Sequence, residues 1–344
     1  MKALRWIGWP VVVLALTVLP ACSGKSEGPA GNRYGKFTLY DTKYDYVDLA
    51  KAKNNAADVL TQLGDQDKVC LIGLWAYNPP AILNAVKEAG KEGKVHIVGF
   101  DEYDDTLQGI KDGSIVATVV QNPYRFGYES VKLLAALARD SKAKLPADVK
   151  EGVWDIPHRT ITKDKVDKFR EELRDLKARA KGKVPEGDFE VAFVSNNAEE
   201  FWTFAEAGAR VAAREAKVSV VFKKPKGGTV DEQKQIVDDL LTSGVKGIAI
   251  SVNDPVNQKD FLNEVADKVP LITVDNDAPD TRRRCYIGTN NIKAGHEVGR
   301  LVKEALPDGG TIAIFVGKPE PVNARERRQG VLDELAGEKD AKGK

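Results

Sequence analysis

The chain has 344 residues, and its formal net charge is only +1, because 52 Lys and Arg nearly cancel 51 Asp and Glu. That balance excludes the basic excess of a nucleic-acid binder, and 42% hydrophobic with 30% charged residues is ordinary for a globular protein of about two domains. Three cysteines and three histidines are too few for a disulfide framework or a histidine-rich metal site.

At the start, Lys2 and Arg5 precede an apolar stretch from Trp6 to Leu19 that ends in Leu19-Pro20-Ala21-Cys22, so residues 1–21 read as a secretory signal. The stretch falls short of the roughly 20 residues of a membrane span. Its end is similar to a bacterial lipoprotein signal, which implies lipid on Cys22 and an exported protein held at the periplasmic or cell-surface side of a membrane. Residues 22–33, rich in Gly, Ser and Lys, read as a flexible tether.

Beyond the tether, short apolar runs alternate with amphipathic segments, the pattern of βα units on parallel sheets. Strands are predicted at Phe37–Tyr40, Val69–Leu74, Val95–Phe100, Ile115–Val120, Glu190–Ser195, Val218–Phe222, Gly247–Ser251, Leu271–Val274 and Thr311–Val316. Helical patterns lie at Ala52–Gln62, Pro80–Lys91, Phe201–Glu215, Val230–Leu241 and Ala294–Leu306. So many strands suit two doubly wound lobes better than one sheet. Cys70 and Cys285 each sit inside a strand-like run and read as buried free thiols. A charged helix over Lys163–Lys183 breaks the rhythm, and its end at 177–187 reads as a linker before a fresh strand.

Ligands of doubly wound folds bind beyond the carboxyl ends of the strands. Those positions hold Trp75, Tyr77 and Asn78; Asp101; Gln121; Asn196, Asn197, Glu199, Phe201 and Trp202; Asp275, Asn276 and Asp277; and Asn323 with Arg325. Planar polar groups beside aromatics suit a sugar, whose hydroxyls both donate and accept while its C–H faces prefer a ring.

With residues 188–344 placed before 34–176, these motifs resemble the ribose- and xylose-type periplasmic binding proteins over essentially the whole mature chain. The resemblance rests on Asn196-Asn197 with Phe201-Trp202, on Val274-Asp275 followed by Tyr286-Ile287-Gly288-Thr289-Asn290-Asn291, on Asn323-Ala324-Arg325-Glu326-Arg327, on Val98-Gly99-Phe100-Asp101 and on Ala117 to Pro123. It implies an α/β fold of two doubly wound parallel-sheet lobes joined by a three-strand hinge, in circularly permuted order. One lobe would comprise 34–121, 158–176 and 308–344, the other 122–157 and 188–307, with crossings near Pro307–Gly310, Gln121–Asn122 and Asp155–His158.

The resemblance also implies roles. Phe201 and Trp202 would hold a sugar ring against Tyr44, Tyr46 or Trp75, while Asn197, Asp275, Arg325, Asp101, Gln121 and Tyr77 or Asn78 would bond its hydroxyls. The expected protein is a monomeric solute-binding lipoprotein that delivers a sugar or polyol to a membrane ABC permease. Alternatives are a sugar sensor for a signalling partner, a repressor's effector-binding core and an exported α/β enzyme. Two departures argue against ribose itself: Asn276 stands where ribose receptors place an arginine, and Glu199-Glu200 replace an Asn-Pro pair. A polyol, another pentose or hexose, or an amino sugar is expected instead. No cofactor, metal or nucleic acid is expected: His96, His158 and His296 are widely spaced, and Gly35-Lys36 lacks a phosphate-loop context. Ser141 and Ser243 each precede a lysine by three residues, without the motifs that accompany an acylating serine.

Overall fold

The computed structural model describes residues 32–182 and 186–337. The signal segment, Cys22, nearly all of the tether, residues 183–185 and Lys344 lie outside the described residues.

The chain opens with β1 (Asn32–Tyr34), β2 (Phe37–Tyr44), α1 (Leu49–Leu63), β3 (Val69–Gly73), α2 (Asn78–Glu88), β4 (Val95–Phe100) and α3 (Asp104–Asp112). It continues through β5 (Ala117–Val120), α4 (Pro123–Arg139), β6 (Val153–Asp155), β7 (Arg159–Ile161), α5 (Val166–Arg179), β8 (Glu190–Val194) and α6 (Phe201–Ala216). The remainder is β9 (Ser219–Lys223), α7 (Val230–Ser243), β10 (Ile248–Ile250), α8 (Lys259–Lys268), β11 (Leu271–Val274), β12 (Cys285–Gly288), α9 (Asn291–Ala305), β13 (Gly310–Val316) and α10 (Val322–Ala336).

Two sheets result, ordered β1-β2-β13-β3-β4-β5-β7 and β6-β12-β11-β10-β8-β9. The second is parallel throughout. In the first, only the edge strands β1 and β7 run antiparallel to their neighbours. The central strands β3, β5 and β10 are buried at every position, because helices cover both faces and leave no solvent side for alternating polar residues. These are the two doubly wound lobes that the apolar periodicity implies. Cys70 and Cys285 are buried and unpaired, one in each sheet.

Three expected boundaries move. The tether does not run to residue 33: Asn32 and Arg33 pair with Leu39 and Thr38 in an edge hairpin. The linker does not start at 177, since α5 stays helical to Arg179. Most consequential, the crossing expected near Pro307–Gly310 lies instead between β12 and α9. The apolar stripe of α9 (Ala294, Val298, Leu301, Val302) belongs to the core under β13 and α10, so α9 is part of the first lobe. Its approach to α10 needs glycine, because a Cβ on Gly295 would stand 2.3 Å from the Arg327 carbonyl oxygen.

The hinge segments are bonded to one another. Ile156 N–H donates to the Gly288 carbonyl at 2.7 Å, and the Asn290 N–H donates to the Asp155 carboxylate at 3.0 Å. The third passage joins β5 to α4 at Gln121–Asn122.

Candidate functional site

The carboxyl ends of both sheets face one cleft, lined by Trp75, Ala76, Tyr77, Asp101, Gln121, Asn323 and Arg327 from the first lobe and Asn196, Asn197, Glu199, Phe201, Trp202 and Asp275 from the second. In this arrangement of the lobes its volume is about 40 Å³.

Asp101 and Asp275 occupy matching corners, just after β4 and β11. Both take a left-handed backbone (φ 62° and 59°), which aspartate tolerates better than most residues but which carries strain. Each is pinned by its own N–H to the next strand, at Val119 (2.7 Å) and Ile287 (3.1 Å). The turn thus swings each carboxylate off its strand into the cleft. Gln121 donates to Asp101 at 3.1 Å, and Ser251, Asn276 and Asn323 approach Asp275 at 3.3–3.4 Å. Asn276 itself is fully buried and lies behind Asp275, outside the cleft lining.

Arg327 stands between the two acids, 3.8 Å from Asp101 and 3.6 Å from Asp275. Its guanidinium lies over Phe100 at 4.0 Å and donates to the Asn291 side chain (2.9 Å) and the Leu74 carbonyl (3.1 Å). Burial pushes the Asp101 carboxyl up to about 6 and raises Asp275 as well, with Arg327 opposing both shifts.

Arg327, not Arg325, therefore supplies the cleft's cation. With 3.6 residues per turn, two positions along α10 turn the side chain by about 200°. Arg325 consequently faces solvent and bonds the Glu320 carbonyl. The spacing Asn323, Arg327, Val331 was the available signal, since these share a face and are all buried.

Tyr77 and Asn78 also change role. The Asp45 carboxylate accepts the Tyr77 hydroxyl at 2.5 Å and the Asn78 amide at 2.8 Å. Asn78 additionally accepts the Trp75 N–H at 3.0 Å and does not line the cleft. These bonds brace the Trp75-Ala76-Tyr77 turn, whose rings form one wall in an edge-to-face pair. Gly317 permits that wall, because a Cβ there would fall 2.0 Å from the Trp75 ring. Of the aromatics considered for this lobe, Trp75 lines the cleft, Tyr44 packs on the core and Tyr46 is 55% exposed.

On the opposite wall Phe201 and Trp202 meet edge-to-face at 5.1 Å. Trp202 donates to the side-chain oxygens of Asn196 and Asn197, both at 3.1 Å, so Asn197 orients the aromatic pair. Asn196 and Glu199, which sequence patterns placed only at a strand end, also reach the lining. Four polar atoms of the cleft are buried without a hydrogen bond: Trp75 Nε1, Gln121 Oε1, Asn323 Oδ1 and Arg327 Nη2, the last of which faces Asp275 at 3.6 Å. Among the described residues no group of three or more His, Cys, Asp or Glu is placed to hold a metal ion.

Two lobes with facing strand ends and a polar, aromatic-walled cleft define the class, and the chain belongs to the periplasmic binding protein domain family, whose profile matches residues 24–142 and 191–344. Individual relatives match over shorter stretches. The chain is 32% identical to the ribose import binding protein RbsB of Haemophilus influenzae over 120 residues, 33% of this chain and 39% of that protein. It is 41% identical to the xylitol-binding protein of Mycolicibacterium smegmatis over 86 residues, 25% and 22% of the respective chains. A solute-binding protein of an ABC transporter from Burkholderia graminis, solved with D-arabinose, aligns at 34% identity over 44% of this chain and 53% of that one, with a TM-score of 0.43. The chain thus spans about two fifths of the length of the ribose relative.

Proposed function

We propose that this protein captures one small sugar or polyol between its lobes. The four buried atoms of the cleft that lack a hydrogen bond carry the reading: two donors (Trp75 Nε1, Arg327 Nη2) and two acceptors (Gln121 Oε1, Asn323 Oδ1). A buried polar group without a hydrogen bond costs about 1–3 kcal/mol, and a hydroxyl can donate to the acceptors and accept from the donors. Asp101 and Asp275 add charged acceptors, while Trp75 and Phe201 offer surfaces to a ring's C–H face. The names of its relatives, ribose import binding protein, D-allose-binding periplasmic protein and xylitol-binding protein, support the ligand class.

The bound molecule would close the lobes about the hinge and be handed to a membrane ABC permease, with Cys22 anchoring the exported protein through lipid. Relative to its family the chain order would be permuted.

Calorimetry against ribose, arabinose, xylose, allose, galactose and xylitol tests the ligand reading. The expected result is about micromolar affinity for one pentose, hexose or polyol, with ribose at least tenfold weaker. Absence of binding across the panel overturns the ligand class, and ribose binding best overturns the argument from Asn276 and Glu199.

A further inference from the structure

A second cavity adjoins the hinge at Gln121–Asn122 and Pro157 and shares Gln121 with the sugar cleft. It has a volume of about 510 Å³, opens to solvent, and draws its walls from both lobes: Phe169 and Leu173 of α5 on one, Tyr124 of α4 and Phe204 of α6 on the other. Glu102 lines it and is only 8% exposed, yet its Oε2 has no partner. Such a carboxylate is costly unless paired. None of the three arginines that line the cavity, Arg125, Arg159 and Arg179, bonds this oxygen; Arg125 is engaged with Glu129 at 2.9 Å and Arg159 with Glu172 at 2.8 Å.

We propose that this cavity is a second ligand site, for a small organic ammonium ion whose nitrogen pairs with Glu102 and whose apolar body packs among Phe169, Leu173 and Phe204. An ammonium group brings three N–H donors to the unpartnered carboxylate oxygen. Aromatic walls suit a cation as well as an apolar body; Arg159 already lies over Phe169 (5.1 Å) and Lys177 over Phe204 (4.8 Å). A neutral alcohol would offer one donor and no charge, and a carboxylate would be repelled. An occupant touches both lobes, so it binds one arrangement of the lobes better than another and biases their equilibrium.

Benzylamine, with benzyl alcohol and benzoate as controls, tests the site on the full chain by calorimetry. Benzylamine should bind saturably, and both controls at least tenfold more weakly. Glu102→Gln should lower benzylamine affinity at least tenfold. Leu173→Trp, which fills the cavity without touching the carboxylate, should abolish binding at an unchanged thermal midpoint. Equal binding of benzyl alcohol, wild-type affinity in both variants, or no saturation up to about 10 mM would each overturn the proposal.

Discussion

The two lobes offer the cleft the same corner and fasten it differently. Asp101 and Asp275 each follow a buried parallel strand, each take a positive φ and each anchor their N–H on the next strand. Asp101, however, finds Gln121 and Arg327 within its own lobe. Asp275 has Ser251 and Asn276 at home but meets Asn323 and Arg327 across the cleft. On the proposed closure, Asp101 would be set before the lobes approach, whereas the surroundings of Asp275 would be completed by closure. One carboxylate would then be a fixture of the site and the other would respond to its state.

Removing the cation they share breaks both halves of the comparison. Arg327→Ala leaves two buried acids facing each other, and breaking a buried ion pair costs about 3–5 kcal/mol. Sugar affinity should fall at least a hundredfold, about 2.7 kcal/mol, with a lower thermal midpoint of the ligand-free protein. Arg325→Ala, on the solvent face of α10, should leave both within about twofold. Calorimetry and thermal melts of the pair check this; a larger effect at Arg325 would reverse the assignment.

That pair also marks where the sequence was legible and where it was not. Strand ends could be read because a buried parallel strand is a continuous apolar run, and whatever follows it faces the cleft; Asp101, Gln121, Phe201, Trp202 and Asp275 were found this way. On α10 the run Arg325-Glu326-Arg327-Arg328 is charged throughout, so hydrophobic periodicity gives no phase, and only Asn323 and Val331 fix which arginine faces inward. Tyr77 and Asn78 sit at a strand end but are satisfied by Asp45, more than 30 positions earlier, and such a long-range partner leaves no local trace. The misplaced crossing has a similar origin. The stripe of α9 announces a helix on a core, yet the two cores are equally apolar, so the stripe cannot say which of them it covers.

A smaller pair of effects separates the fixture from the responder. Asp275→Asn keeps the shape but removes a charge that Arg327 meets across the cleft; sugar affinity should fall about tenfold with little change in ligand-free stability. Asp101→Asn should act on the ligand-free protein through pH. Burial raises the Asp101 carboxyl from 3.8 to about 6, so between these values the folded chain holds a proton that the unfolded chain does not. The stability this group contributes is fully present below about pH 4 and is lost as pH rises through about 6. The thermal midpoint of the wild type should therefore drop across that window, and less steeply in Asp101→Asn. Asp45, also raised to about 6, keeps part of the slope.

The mildest test concerns a contact that belongs to closure alone. Tyr103 of the first lobe donates its hydroxyl to the Glu199 carboxylate of the second at 2.5 Å, at the rim of the sugar cleft. Opening would return both groups to water, so only the difference between the two arrangements counts, and both groups are half-buried rather than sealed. Tyr103→Phe should then weaken sugar binding by about three- to tenfold, with the change in the dissociation rate rather than in association. The neighbouring interlobe pair Lys177–Glu200, 3.2 Å apart and exposed, should matter less, and Lys177→Ala should shift affinity by under about threefold. Stopped-flow dissociation of the two variants decides it. Equal rates in Tyr103→Phe and wild type would mean that Glu199 contributes through the ligand alone, and that Asp275 with Arg327 and Asn323 carries the closing contacts.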